Sequence, residues 1–359
     1  MNLQQTKPAG HALAASRKIV WSQIMTACKF TAAAGALLLC ASASIVGAPA
    51  HAPQSQTNAA QTVFSTPQAA ADALVAAAAQ PDSTALLNLL GPGGADIVKS
   101  GDPAQDRSRL DRFSALAKES LSVEPDPNQL GRFVVYVGKS HWPLPIPIVP
   151  VKSGETSSYR FDAAGAKSEI LARRVGRNEL DAIAFLRAFD DAEMQFAYTD
   201  VNRNGMRDYA EQLRSDPGER DGLYWDDSEG ASESPLAPII EQAIAEGYEL
   251  PPSGEPFTLH GYVFRVLKGQ GSKAAGGARD YVVQGDMIGG FAMIAYPTDY
   301  AVTGVKTFVV NQDGTVYEKD LGPSTSREAA AIKLYNPDKS WSESPVESDD
   351  SDATATAPQ

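Results

Sequence analysis

Cysteine is nearly absent from this chain, and histidine is scarce. Its two cysteines, Cys28 and Cys40, both lie in the first 52 residues, so the rest of the chain has no thiol chemistry and no disulfide. Its fold must therefore rest on an ordinary hydrophobic core. Beyond residue 52 only His141 and His260 remain, which argues against a zinc or copper centre built mainly on His and Cys. Basic charge is also in deficit. The formal net charge is −13, and from residue 53 onward 27 basic residues face 44 acidic ones, a balance of −17. That sign argues against nucleic acid and against anionic lipid headgroups, both of which need basic patches. It is compatible with divalent cations, although acidity alone serves mostly solubility.

The first 52 residues lack the acidic residues that dominate the remainder. They carry Lys7, Arg17, Lys18 and Lys29, then an Ala- and Leu-rich run from Phe30 to Val46, then Gly47-Ala48-Pro49-Ala50-His51-Ala52. Positive flank, apolar run and small-x-small end are the parts of a signal peptide. The run falls short of the roughly 20 strongly apolar residues that a membrane span needs. The expected outcome is removal after Ala52 or Ala50, no span in the mature chain, and a periplasmic or secreted location. Cys40 follows Leu39 where a lipobox wants a small residue, so a soluble form is expected.

About 307 residues remain after cleavage, enough for two domains. Residues 53–62 read as a flexible lead-in. Ser65-Thr66-Pro67-Gln68 offers a hydroxyl cap and a first-turn proline for a helix to about Gln80. A short helix over 83–90 stops at Gly91-Pro92-Gly93-Gly94, and another over 104–121 carries Leu110, Phe113, Leu116 and Ala117 at helical spacing. Strands are predicted over 132–138 and 157–162. Between them, the alternating prolines of His141-Trp142-Pro143-Leu144-Pro145-Ile146-Pro147 force an extended path. That path reads as an apolar connector, with a rigid recognition edge as the alternative. A long helical region is predicted over 166–198, with a bend near Gly176 and with Leu180, Ile183, Phe185, Leu186, Phe189 and Phe196 as its apolar side. An acidic stretch (226–234), a helix over 238–246 and a β-rich remainder follow, including a hairpin turn at Gln312-Asp313-Gly314. The fold class is α+β with two domains: a small helix-plus-sheet domain (63–165), then a long helix on a mostly antiparallel sheet (166–335). Residues 336–359 read as a disordered acidic tail.

The best chemical signal is Asp200-Val201-Asn202-Arg203-Asn204-Gly205-Met206-Arg207-Asp208-Tyr209-Ala210-Glu211, which satisfies D-x-[DN]-x-[DN]-G-x5-E. Calcium wants six to eight oxygens, and a tight Gly turn wraps the side chains of Asp200, Asn202 and Asn204 around it. The carbonyl of Met206 and the carboxylates of Asp208 and Glu211 complete the candidate set. Arg207 stands where paired loops place an aliphatic residue, and no second loop exists to pair with. The competing reading is an Asx/Gly turn capping the helix before it.

Other motifs are weaker. Gly138-Lys139-Ser140 lacks the spacing of a phosphate loop, and Gly269-Gln270-Gly271 reads as a flexible hairpin. Hydrolase parts are present as Ser140, His141, His260, Asp190, Asp191 and Glu193. No G-x-S-x-G elbow organises them, and no catalytic set is assigned.

The order of landmarks is itself informative. Phe64-Ser65-Thr66-Pro67, Trp142-Pro143-Leu144-Pro145-Ile146-Pro147 and Ala172-Arg173-Arg174-Val175-Gly176-Arg177-Asn178-Glu179 come first. Asp221-Gly222-Leu223-Tyr224-Trp225, Gly289-Gly290-Phe291-Ala292 and Val316-Tyr317-Glu318-Lys319-Asp320-Leu321-Gly322 follow. Together these resemble the bacterial exported family catalogued as domain of unknown function 2950. The resemblance implies an envelope setting and brings no catalytic residues. The second half is also similar to the globular part of pilin-like proteins, without their Glu-bearing amino-terminal helix. The function expected is a non-catalytic binding or assembly-support module with an envelope protein or polymer as partner, stabilised by calcium. The alternative is a hydrolase acting on envelope polymers.

Overall fold

Three helices begin with the same local device, a side-chain oxygen that accepts an otherwise orphaned main-chain N–H of the first turn. A computed structural model of the protein describes residues 61–153, 156–226 and 234–345. The expected signal peptide, most of the lead-in and of the acidic stretch, and residues 346–359 of the expected tail lie outside the described residues. Helix α1 (Pro67–Ala78) is capped by Thr66, which accepts from Ala69 N at 3.1 Å, with Pro67 in its first turn. Helices α2 (Thr84–Leu90) and α3 (Gly94–Val98) precede α4 (Pro103–Glu119). Helix α4 is capped by Asp102, which accepts from Gln105 N at 3.0 Å.

The chain then turns to β1 (Leu121–Pro125), β2 (Phe133–Val137), β3 (Trp142–Pro143), β4 (Ile148–Ser153) and β5 (Thr156–Phe161). These form an antiparallel sheet in the order β1-β2-β4-β5, with β3 added to β2. Its core joins Ala70, Ala71 and Leu74 of α1 and Leu86, Leu89 and Leu90 of α2 to Val135, Val137, Ile148 and Phe161 of the sheet. Strands β1 and β4 and helix α3 escape sequence reading for identifiable reasons. β1 follows α4 with no Gly or Pro between them, β4 contains Pro150, and α3 is too short to show a period.

The long helix α5 (Ala163–Thr199) is capped by Asp162, which accepts from Gly165 N at 3.0 Å. Short strands β6 (Gln212–Arg214) and β7 (Gly222–Tyr224) pair in parallel, and α6 (Ala237–Ala245) follows. Strands β8 (Phe257–Leu259), β9 (Tyr262–Leu267), β10 (Gly269–Gln270), β11 (Arg279–Asp280), β12 (Val282–Val283), β13 (Asp286–Met287), β14 (Ala292–Pro297), β15 (Lys306–Asn311) and β16 (Tyr317–Asp320) come next. A 3₁₀ turn (Gly322–Ser324), α7 (Thr325–Ala331) and β17 (Ser342–Glu343) complete the described chain. The second sheet has the order β17-β16-β15-β14-β9-β8 and is antiparallel throughout. All six residues of β14 are buried, so both faces of the central strand are covered. α5 and α7 both pack on it. Phe185, Phe189 and Phe196 of α5 meet Phe257, Phe264, Phe291 and Phe308 in this core. The chain from 336 to 345, read from sequence as the start of the tail, instead runs back along the sheet. There Ser344 N donates to Val316 O at 2.8 Å.

The fold is thus α+β with two hydrophobic cores, and α5 serves both. Its first turn puts Ala163 and Ala166 in the first core, and its residues from Ala182 onward belong to the second. Between them lies a polar joint. Asn178 is fully buried: its Oδ1 accepts from Gln105 Nε2 of α4 at 2.9 Å, and its Nδ2 donates to Thr303 O at 2.8 Å. Asp102, besides capping α4, accepts from Tyr248 OH at 2.8 Å and from Gly261 N at 3.1 Å. Gly261 has φ +74, and a Cβ there would stand 2.7 Å from Thr303 Cβ and 3.1 Å from Asn178 Nδ2. Only glycine lets the β8–β9 turn reach the joint.

Replacing Asp102 by Ala removes a helix cap and two charge-assisted bonds between the cores. The expected loss is about 3 kcal/mol in urea unfolding, against less than about 0.5 kcal/mol for exposed Asp72→Ala. A loss at Asp102 no larger than at Asp72 contradicts this account of the joint.

Candidate functional site

The end of α5 builds the predicted loop. Asp200 terminates the helix in a left-handed conformation (φ +46), which Asp tolerates better than most residues. Its Oδ1 accepts from Gly205 N at 3.3 Å, closing the turn that Gly205 allows with φ +78. Asn202 Oδ1 accepts from Asn204 N at 3.5 Å and Asn204 Oδ1 from Met206 N at 2.8 Å, two successive Asx turns. Both amides donate to Asp208 Oδ2, at 2.8 Å from Asn202 and 2.7 Å from Asn204. Asp208 is buried, and Met206 is exposed. Glu211 is engaged elsewhere, on Lys268 at 2.6 Å.

Asp200, Asn202, Asn204 and Asp208 are therefore tied into one turn, and Glu211 points its charge at a neighbouring lysine. Among the described residues no three His, Cys, Asp or Glu side chains gather as a metal-binding group. The loop's own supply is two carboxylates, two amides that can present oxygen on a 180° turn, and main-chain carbonyls, a hard oxygen set suited to calcium rather than to softer metals.

Two acids on α5 lie beneath this loop. Glu193 is fully buried, and its Oε2 accepts from Ala210 N at 2.8 Å. Burial pushes its carboxyl well above the usual range, and the neighbouring charges of Asp190 and Asp208 push the same way against the Ala210 bond. Burial, then Asp191 and Asp313, raise Asp190 to about 6. Asp190 Oδ1 and Glu193 Oε1 are buried without a hydrogen-bond partner. The tip of the β15–β16 hairpin sits over Asp190: a Cβ at Gly314 (φ +72) would lie 3.2 Å from its Oδ2.

Both histidines are engaged by carboxylates. His260, at φ +48 in the β8–β9 turn, holds Glu246 Oε2 from Nε2 at 2.8 Å and Asp181 Oδ2 from Nδ1 at 3.1 Å. Burial disfavours its charged form, but these two carboxylates outweigh burial and raise it to about 9. His141 pairs with Glu124 at 2.8 Å and stacks on Tyr136 with centroids 4.0 Å apart. Ser140 and His141 are both exposed, and the serine contacting that imidazole is Ser122, at 3.5 Å.

Two surface concavities are lined by neither the histidines nor the loop, the second of them reaching Asp313 near Asp190. One, of about 360 Å³, runs along the proline segment and is lined by Tyr136, Pro143, Pro145, Arg132 and Arg173. Trp142, 44 % exposed, precedes the lining residue Pro143 and has Arg173, another lining residue, 5.9 Å from its ring. The other, of about 450 Å³, lies at the edge of the large sheet among Lys273, Asp313, Tyr317, Tyr335, Asp338 and Trp341. Trp225 is only 8 % exposed, under Arg220, and lines neither. The second concavity was missed in the sequence because its residues come from three loops, and Trp341 sits where the composition turns tail-like.

Glu193→Gln keeps an acceptor for Ala210 and removes the titration. An acid with a raised pKa loses stability as pH climbs above its unfolded value near 4.5, by up to about 1.4 kcal/mol per unit. The variant is therefore expected to melt higher than the parent by a margin that grows from pH 5 to pH 8. His260→Gln should do the reverse. The stabilisation by His260 is complete below about pH 6.5 and fades as pH rises through about 9, so its deficit shrinks from pH 6 to pH 10. Flat melting differences across these ranges contradict both assignments.

No curated protein and no solved structure matches the chain. A family model does, over residues 61–344, from the capped first helix through the last strand of the large sheet. The chain belongs to this family, described as protein of unknown function (DUF2950).

Proposed function

We propose that the protein is an exported, non-catalytic module of the cell envelope that binds a partner protein or polymer or supports an assembly. The observation that carries this reading is the pair of surface concavities on the two sheets, one lined by Trp341 and the other lying next to exposed Trp142. Aromatic side chains half in water and half on a scaffold are a common anchor for recognition. His260 supports it too: an imidazolium held by two carboxylates serves as a strut rather than as a proton acceptor at neutral pH.

Calcium enters the same proposal at Asp200, Asn202, Asn204, Met206, Asp208 and Glu211. Its role there is to stiffen the junction between α5 and the sheet, and a lone loop in a calcium-rich compartment favours stabilisation over sensing. For Glu211 to join the shell it must leave Lys268. A second reading, hydrolysis of an envelope polymer, has one observation in its favour, the Asp190 carboxyl raised to about 6 beside Asp313 of the larger concavity.

Envelope extract passed over the immobilised chain, with and without a calcium chelator, tests the reading. A specific partner or polymer is expected, with calorimetric calcium binding that Asp200→Ala abolishes. Capture of nothing removes the binding role. Absence of heat and of any melting shift removes calcium alone. Polymer turnover that Asp190→Asn abolishes would replace binding with hydrolysis.

A further inference from the structure

The larger concavity has a floor fixed by buried polar groups. Gln270, Tyr281 and Tyr335 are all nearly inaccessible. Tyr281 OH donates to Gln270 Oε1 at 2.9 Å, and Gln270 Nε2 donates to Ala275 O at 2.6 Å and Gly277 O at 2.8 Å. Opposite, Lys273 N donates to Asn336 Oδ1 at 2.8 Å, and Tyr335 N to Gly269 O at 2.9 Å. A Cβ on Gly271 would stand 2.4 Å from Asn336 Cγ, so the two loops meet with no room to spare. The buried Tyr281–Gln270 bond and the Gln270 bonds to Ala275 and Gly277 fix one wall, and the Lys273–Asn336 bond at the surface ties the other to it, the arrangement of a preformed site rather than of a gap between mobile loops.

The lining narrows the ligand. Lys273 is neutralised by Asp338 at 2.9 Å, and Asp313 adds a further negative charge against exposed Lys339. Lys319 beside Trp341 leaves one lysine in excess, well short of the cluster of cations that a polyanion takes. What remains is the ring of Trp341, with Lys319 5.9 Å from its centre, the ring of Tyr317, and close-set donors and acceptors on Lys273, Asp338, Asp313 and Thr315. Flat apolar faces beside alternating donors and acceptors match a sugar ring, which has C–H faces and a girdle of hydroxyls. The volume of about 450 Å³ lies in the ordinary range of small-ligand sites, roughly 300–1,000 Å³.

We infer that this concavity is a saccharide-binding site, with Trp341 and Tyr317 as stacking surfaces and Lys273, Asp338 and Thr315 as hydroxyl partners. The inference rests on the binding-module reading and names the ligand class of one of its two concavities.

Titration of the full chain with chitotetraose, cellotetraose and maltotetraose tests it. At least one is expected to bind, with affinity lowered about tenfold or more by Trp341→Ala, lowered also by Thr315→Val, and unchanged by Trp142→Ala. Thr315→Val is nearly isosteric and decides the matter if Trp341→Ala melts below the assay temperature. Absence of binding to all three sugars overturns the saccharide assignment, and so does binding that both variants leave intact. Partner capture from extract is a separate readout, so loss of the sugar site and loss of the binding role can be told apart.

Discussion

The side-chain amide of Asn178 is the point on which the architecture turns. It lies in the interior of a 37-residue helix, about 55 Å long at 1.5 Å per residue, with no access to water. A buried amide left unpaired costs about 1–3 kcal/mol per group, so both of its ends must find partners in any compact state. One partner comes from Gln105 in the first core and the other from the Thr303 carbonyl in the second. Sliding either core by one residue along the helix would strand one of those ends. The joint therefore sets register as well as adhesion, in the way that single buried polar groups specify alignment elsewhere.

Register at residue 178 propagates to the far end of the helix because α5 is one continuous element. One turn beyond Asn178, Asp181 reaches His260. Three to four turns on, Asp190 and Glu193 arrive under the hairpin at Gly314 and the loop at Ala210. The loop itself starts where Asp200 ends the helix. Its position over the sheet follows from the same rod that the joint aligns, with Tyr209 N donating to Met287 O at 2.9 Å as its tie to the sheet side. A cation held at this loop would bind against an anchored end, so its effect would be read as stability rather than as a large movement.

Much of this was legible from sequence, because the signals were local. Thr66-Pro67, the Leu110–Ala117 spacing and the apolar stripe from Ile183 to Phe196 announce their helices through capping and spacing that need no tertiary knowledge. The sequence placed the first cap at a hydroxyl of Ser65-Thr66, and the structure chooses Thr66, whose extended backbone lets its oxygen face Ala69 N. Family membership was legible for the same reason, through short motifs in a fixed order. The joint was not. Gln105, Asn178 and Thr303 are 73 and 125 residues apart, and each is an unremarkable polar residue until the fold brings them together. In the sequence Glu193 is only one of several acids available for hydrolase chemistry, with nothing to mark it as buried. Its burial is set by Ala210 arriving from outside the helix, which helical periodicity cannot show.

The larger concavity illustrates the same limit and gives it a physical reason. Gln270 and Tyr281 form a buried polar pair where two apolar side chains would pack at no cost in desolvation. Such a pair is tolerated only when fully satisfied, and here its hydrogen bonds end on the carbonyls of Ala275 and Gly277 in the loop that forms one wall. The stabilisation gained is modest, because each bond replaces one to water. The geometric gain is large, because a glycine-rich loop that would otherwise sample many conformations is held in one. Ordering that loop within the fold rather than at the moment of binding removes its entropy cost from the binding step. A sheet edge that only needed closing could have used a shorter turn. The length of this loop and the buried amide that pins it are both accounted for if the wall they make is a recognition surface.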